Sequence, residues 1–291
     1  MDLYQSITDK IVAMLERGTV PWHRLWSVAG LEGLPKNLVS KQPYRGINVF
    51  ILLASGFESP YWLTFNQAKH YDGHINKGER SSMVVFWNWF DKETGELDSD
   101  GNRAVEKIPF LRHYNVFNVT QCTLPDSIVP DLPERPAAEP IAACDRIVEG
   151  MTNPPAINHN GGGRAFYRQA TDSVHIPERH RFPKQSEYYS TLFHELTHAT
   201  GHSSRLNRKT LTEYDGFGGQ NYSREELVAE MGATFLCGMA GIENQTIDNS
   251  ASYVASWLQA LKTDKRLAVT AAAQAQKAAD YILNIKTPES N

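Results

Sequence analysis

The 291-residue chain has little cysteine, no long apolar run and no surplus of positive charge. Each shortage removes a class of protein. Its three cysteines, Cys122, Cys144 and Cys237, are odd in number, far apart and without a CxxC pair. They do not read as a disulfide framework; three small buried residues in a reducing compartment fit better. No stretch approaches the roughly 18 apolar residues of a membrane span. The opening MDLYQSITDKIVAML is amphipathic with an acid in second position, which reads as neither a secretory signal nor a transit peptide. The expected location is cytoplasmic, with no membrane partner. A net charge of −4 gives no general attraction for nucleic acid.

What is present is an ordinary globular composition, 41% hydrophobic and 21% charged, in a chain long enough for two domains. Residues 124–140, LPDSIVPDLPERPAAEP, carry five prolines. At that density proline removes backbone donors and blocks helices, which predicts a linker between domains at 1–123 and 141–291. In the first half, Ile7, Ile11, Met14 and Leu15 recur at helical spacing up to Gly18. TFNQ, from Thr64 to Gln67, is a capping-box signature for a second helix. SSMVVFWNWF and AVEKIPFLRHYNVFNV read as a strand and its return, joined by a loop DKETGELDSDGN. The second half predicts a helix at 141–151, two short antiparallel strands around the glycines 161–163, and helices at 187–200, 224–239, 251–261 and 264–283. Both halves are α+β.

The chemistry concentrates in YYSTLFHELTHATGHSSRL. On a helix, i and i+4 share a face, so His194 and His198 can offer two imidazole nitrogens to one ion. Glu195 leans toward the open side, where a carboxylate can act as general base. This is the HExxH arrangement of zinc peptidases. The competing reading is a solvated helix with incidental histidines, which Leu192, Phe193 and Leu196 argue against by giving that helix a buried side. The expected cofactor is one Zn2+ or similar divalent ion per chain. Gly201 begins a metzincin-like continuation, but Ser204 stands where its last histidine belongs, and His202 lies too far along the axis at 1.5 Å per residue.

A third ligand is sought in YSREELVAEMGATFL, where Glu225, Glu226 and Glu230 stand among apolar positions. Glu226 and Glu230 share one face, and buried carboxylates need a cation or hydrogen bonds. The segment resembles the second helix of thermolysin-like glutamate zincins. That likeness maps Glu226 to the ligand and Glu230 to a supporting group behind it. The competing reading is a capping box in which Glu226 returns to the Ser223 backbone. Tyr167, Tyr214 and Tyr222 are the candidate hydroxyls for a developing oxyanion. RAFYRQATDSVHIP is the candidate edge strand for aligning an extended substrate peptide.

Five of the six tryptophans fall in the first 130 residues, several beside basic or amide groups. Rings stack on unpaired bases and neighbouring cations neutralise phosphates, the chemistry of single-strand binding. Core filling is the competing use of these rings. The half counts 13 Lys and Arg against 14 Asp and Glu, five of the acids lying between Asp91 and Asp100. The contacts nominated are Trp22, Lys36, Tyr44, Arg45, Asn48, Trp62 and Arg112. Tyr44 and Arg45 rank first, because KQPYRGIN places them in a loop between Pro43 and Gly46.

VPWHRLW, YRGINVFILL, YWLTFNQA, VVFW and YNVFNVTQ, followed by the HExxH run, REELVAEMGATFL and ASYVASWLQALKTDKR, together resemble the ArdC antirestriction family of conjugative plasmids. The likeness spans nearly the whole chain. It implies an N-terminal single-stranded-DNA-binding domain shared with certain plasmid primases and a C-terminal zincin-like metallopeptidase domain. It also implies protection of incoming plasmid DNA from restriction, and a protein substrate it does not identify. The rival expectation is a cytosolic zinc peptidase whose N-terminal domain recognises protein substrates.

Overall fold

The aromatic-rich half begins with a helix that leans on the opposite end of the chain. The computed structural model describes residues 2–23, 33–97, 103–130, 140–160, 162–212, 220–244 and 251–286. Most of the proline-rich stretch, residues 98–102, Gly161 and Tyr214 lie outside them. Helix α1 (Leu3–Glu16) starts where the Asp2 carboxylate accepts the N–H groups of Tyr4 and Gln5, and buries Ile7, Ile11, Met14 and Leu15. Strand β1 (Lys36–Asn37) precedes α2 (Ile47–Leu53), a short helix with almost every residue buried. Strand β2 (Tyr61–Thr64) runs straight into α3 (Phe65–His70), which carries both bonds of the expected Thr64–Gln67 capping box.

Strand β3 (His74–Ile75) leads to β4 (Ser82–Leu97) and β5 (Arg103–Asn118), and β3 pairs with β6 (Cys122–Thr123). The main sheet has the order β1-β2-β5-β4, with β4 and β5 a long antiparallel hairpin. The loop expected from Asp91 onward is therefore mostly strand: pairing continues through Glu93 and slips register before Leu97. Strand β4 is an edge. Beside Val85 the Asn48 side chain mimics a neighbouring strand, donating to the Val85 carbonyl and accepting its N–H, both at 2.7 Å.

The second half opens with α4 (Pro140–Gly150) and a small sheet of β7 (Ala156–Asn158), β8 (Phe166–Arg168) and β9 (Ser173–His175). Its order is β7-β9-β8, with β7 parallel to β9 and β8 antiparallel to it. The expected single antiparallel pair is thus corrected: a turn through Gln169–Thr171 folds the second segment back on itself. Helices α5 (Gln185–Thr200), α6 (Lys209–Thr212), α7 (Gln220–Ala240), α8 (Ala251–Thr263) and α9 (Leu267–Ile282) follow. No described helix is long and apolar enough to cross a membrane.

One core joins the two halves. Ile7, Ile11, Trp22 and Phe50 pack in the same cluster as Phe193, Phe235, Trp257 and Ala272. Helix α9 presents Ala271, Ala272, Ala275, Ala278 and Ala279 as a buried small-residue face, which lets α7 pack closely against it. Gly46 lies against the α9 backbone with φ +57 and donates its N–H to Gln276 at 3.1 Å. That left-handed conformation favours glycine.

Candidate metal centre

Helices α5 and α7 carry the centre, and their close approach has a local cause. A Cβ on Gly232 would lie 2.5 Å from Thr197 Cγ2, so only glycine lets α7 press against α5 beside His198. On α5, Leu192, Phe193 and Leu196 are buried, which turns His194 and His198 toward a cleft of about 570 Å³. Their Nε2 atoms lie 3.1 Å apart. Glu226 on α7 brings Oε2 to 3.4 Å from His194 and Oε1 to 3.5 Å from His198. The three residues can each offer one ligand atom within 4.8 Å of the others. Helix α7 begins at Gln220, so Ser223 is inside the helix and the capping-box alternative for Glu226 does not apply.

The donor set fits a divalent cation. His198 Nδ1 faces Glu225 Oε1 at 3.2 Å, and His194 Nδ1 faces Glu230 Oε1 at 3.4 Å. A carboxylate behind each ring favours the proton on Nδ1 and leaves the Nε2 lone pair forward. Two such lone pairs and a carboxylate then converge on one point, a donor set suited to a divalent cation. Glu230 stands on the far side of the His194 ring from Glu226. Glu225 is the functional residue that sequence reasoning missed. Arg208 Nε reaches its Oε2 at 3.0 Å and Arg208 Nη2 its Oε1 at 2.5 Å. Burial would raise the Glu225 pKa, but the Arg208 charge beside it outweighs that and holds it at about 2.

Glu195 is buried in the same cleft. Burial raises its pKa, while the Tyr167 backbone N–H bonds to its carboxylate. Tyr167 and Tyr222 both line the cleft, but the Tyr167 hydroxyl is committed to Asp172 at 2.8 Å. Strand β8 is the edge of its sheet and borders the cleft through Phe166, Tyr167 and Arg168. His202 lies outside the centre, its Nδ1 at 2.8 Å from Ser204 Oγ.

The nominated DNA contacts fare differently. Trp22, Lys36, Tyr44, Asn48 and Trp62 are all buried, which corrects their assignment to a binding surface. Trp22 and Trp62 fill core, Tyr44 packs with Val84 and Leu52, and Asn48 spends its amide on Val85. Arg45 is ion-paired with Asp280 on α9. Arg112 alone is exposed and without a carboxylate partner among the described residues.

Residues 145–274 match the family described as zincin-like metallopeptidase, and residues 1–117 match the N-terminal domain of anti-restriction factor ArdC. The ArdC protein of plasmid R388 in its metal-free crystal structure is 38% identical, with TM-score 0.77 over 98% of this chain and 97% of that one. The chain belongs to the ArdC antirestriction family. The Mn(II)-bound structure of the same R388 protein superposes with TM-score 0.76 over 98% of both chains. A protein of Sinorhizobium fredii named y4eC is 34% identical over 97% of this chain and 91% of its own length. The DNA primase TraC of Escherichia coli is 32% identical over 96% of this chain. The chain spans only 27% and 20% of the two TraC proteins it matches. The family matches fall on either side of the proline-rich stretch. The α+β fold with an ArdC N-terminal domain and a zincin-like second domain agrees with the sequence expectation.

Proposed function

We propose that this chain is a cytoplasmic antirestriction protein that binds single-stranded DNA, shields incoming conjugative plasmid DNA, and cleaves a protein substrate at a zinc centre. Family membership supports the antirestriction role. The aromatic content of the first half and the kinship with plasmid primases support single-strand binding. The observation that carries the enzymatic half is that Glu195 opens on the same cleft as the ligand atoms of His194, His198 and Glu226.

A divalent ion held by those three residues supplies a Lewis acid that polarises a carbonyl and acidifies water. Glu195, its pKa raised by burial, takes a proton from water and returns it to the leaving amine nitrogen. Tyr222 is the better placed donor to a developing oxyanion, since Tyr167 is held by Asp172. Strand β8 gives an extended peptide an edge to lie along.

The test is Glu195→Gln in the full chain. Metal content should stay stoichiometric, hydrolysis of casein should cease, and retention on single-stranded DNA should persist. Conjugation into a restricting recipient then reports whether cleavage matters for protection. A wild-type chain that is retained by neither single-stranded nor duplex DNA would leave the rival peptidase reading in place.

A further inference from the structure

One face of the β4–β5 hairpin carries two exposed rings, Phe86 and Tyr114, and the half-buried Phe110, while Trp87 stands on the other face against Tyr4. Cross-strand partners share a face of an antiparallel sheet. The pairs Val84–Tyr114, Phe86–Arg112 and Asn88–Phe110 therefore stand on one face. Val84 is buried against Tyr44 and Trp62. From that anchor outward, Tyr114 is 44% and Phe86 42% exposed. Their rings meet edge to face at 5.6 Å, and Phe86 also meets Tyr44 at 6.1 Å. Next along β5, the Arg112 guanidinium lies 5.6 Å from the centre of the Phe110 ring. Ring, ring, cation and ring thus follow one another on a single surface.

We propose that this stripe of Tyr114, Phe86, Arg112 and Phe110 is the track on which the chain stacks single-stranded DNA. The assignment rests on the single-strand reading above and gives it a surface. Same-face residues along a strand are about 6.6 Å apart and opposite ones about 5 Å, so Tyr114 and Phe86 offer exposed rings at neighbouring positions, with the Arg112 charge beside them. Arg112 is exposed and meets no carboxylate among the described residues, which leaves its charge for a phosphate. Neither 82–90 nor 108–118 contains an acid. A peptide adding itself to the β4 edge is disfavoured beside Phe86, because Asn48 already occupies the Val85 backbone groups.

The experiment uses the full chain and fluorescein-labelled oligodeoxythymidylate, followed by anisotropy. Phe86→Ala and Tyr114→Ala should each weaken binding about 5- to 150-fold, the range for loss of one stacked base. Phe86→Tyr and Tyr114→Phe, which keep a π-face, should bind as wild type. Arg112→Gln should flatten the salt dependence by about 0.7 in log–log slope, one phosphate on a single strand. Phe65→Ala removes a ring that is 57% exposed on α3 and should change nothing. Should the alanine variants unfold, an iododeoxyuridine oligonucleotide photocrosslinked to the wild-type chain decides instead. Adducts within 82–90 or 108–116 support the track, and adducts only elsewhere overturn it. Wild-type binding that the folded alanine variants retain overturns this surface alone. Absence of wild-type single-strand binding overturns the underlying reading and the track with it.

Discussion

Glu225 Oε1 lies 3.2 Å from Nδ1 of His198, and Arg208 grips the same carboxylate through two nitrogens. Thr210 donates its hydroxyl to the other oxygen at 2.5 Å, and Arg208 also donates to the Thr197 carbonyl at 2.8 Å. The segment after α5 thus closes over the helix it has just left and fixes one ligand ring from behind. Glu225→Gln preserves shape and removes the charge. Metal affinity should fall about 10- to 100-fold, the range for groups that orient a ligand, as read by competition with a chromophoric chelator. Arg208→Met strands a buried carboxylate, and urea unfolding should show a loss of about 3–5 kcal/mol.

Glu226 and Glu230 stand one turn apart on α7 but meet His194 on opposite ring nitrogens. Glu226→Ala removes the carboxylate of the candidate ligand set and should abolish stoichiometric metal, as should His194→Ala or His198→Ala. Glu230→Ala removes only the support behind His194 and should cost about 10- to 100-fold in affinity. Added metal should raise the melting temperature of the wild type and of Glu230→Ala, because binding to the native state stabilises it. Metal retained by Glu226→Ala and lost by Glu230→Ala would reverse the two roles.

Trp22 tests whether the two halves depend on each other. Its ring meets Trp257 edge-on at 5.4 Å and Phe50 at 6.4 Å, and its carbonyl accepts the Thr234 hydroxyl of α7 at 2.7 Å. Trp22→Ala should cost about 3–5 kcal/mol, and both halves should unfold in one transition. Tyr44→Ala, likewise buried, should lower the urea midpoint. Tyr44→Phe should leave single-strand binding unchanged.

Periodicity made the metal centre legible. His194, Glu195 and His198 follow from helical spacing; one shared face brought Glu226 and Glu230 together, and the likeness to glutamate zincins gave each its role. Glu225 was hidden because its role depends on Arg208, which tertiary folding alone brings beside it. The available signal was a third acid on a largely apolar helix. Helix α2 escaped because INVFIL is buried all round and has no period to read. Tyr44 beside Gly46 looked like an exposed loop. Gly46, however, packs on the α9 backbone, and the ring beside it turns inward. The Pro-rich stretch marked a seam in sequence, while Trp22 and Trp257 share one core across it.

Asp172 joins the edge strand to the end of the metal-binding helix. Arg205, its side chain fully buried, donates to both Asp172 oxygens at 2.8 Å and to the Ala199 carbonyl of α5 at 2.9 Å. Burial alone would raise the Asp172 pKa, but the Arg205 and Tyr167 hydrogen bonds hold it below its ordinary value. A carboxyl depressed in the folded state stabilises the fold fully above its unfolded pKa of about 3.9, and that contribution fades as pH falls through the folded value. Asp172 sits at φ +45, a conformation asparagine also tolerates, so Asp172→Asn tests charge with little backbone strain. The melting temperature of Asp172→Asn should lie below wild type at pH 7, and the gap should close as pH falls below about 4. Tyr167, freed from Asp172, belongs to the strand whose N–H holds Glu195, so casein hydrolysis at pH 7 should fall while metal content stays stoichiometric. A gap that stays constant through the acid range would mean that the pair contributes shape rather than charge.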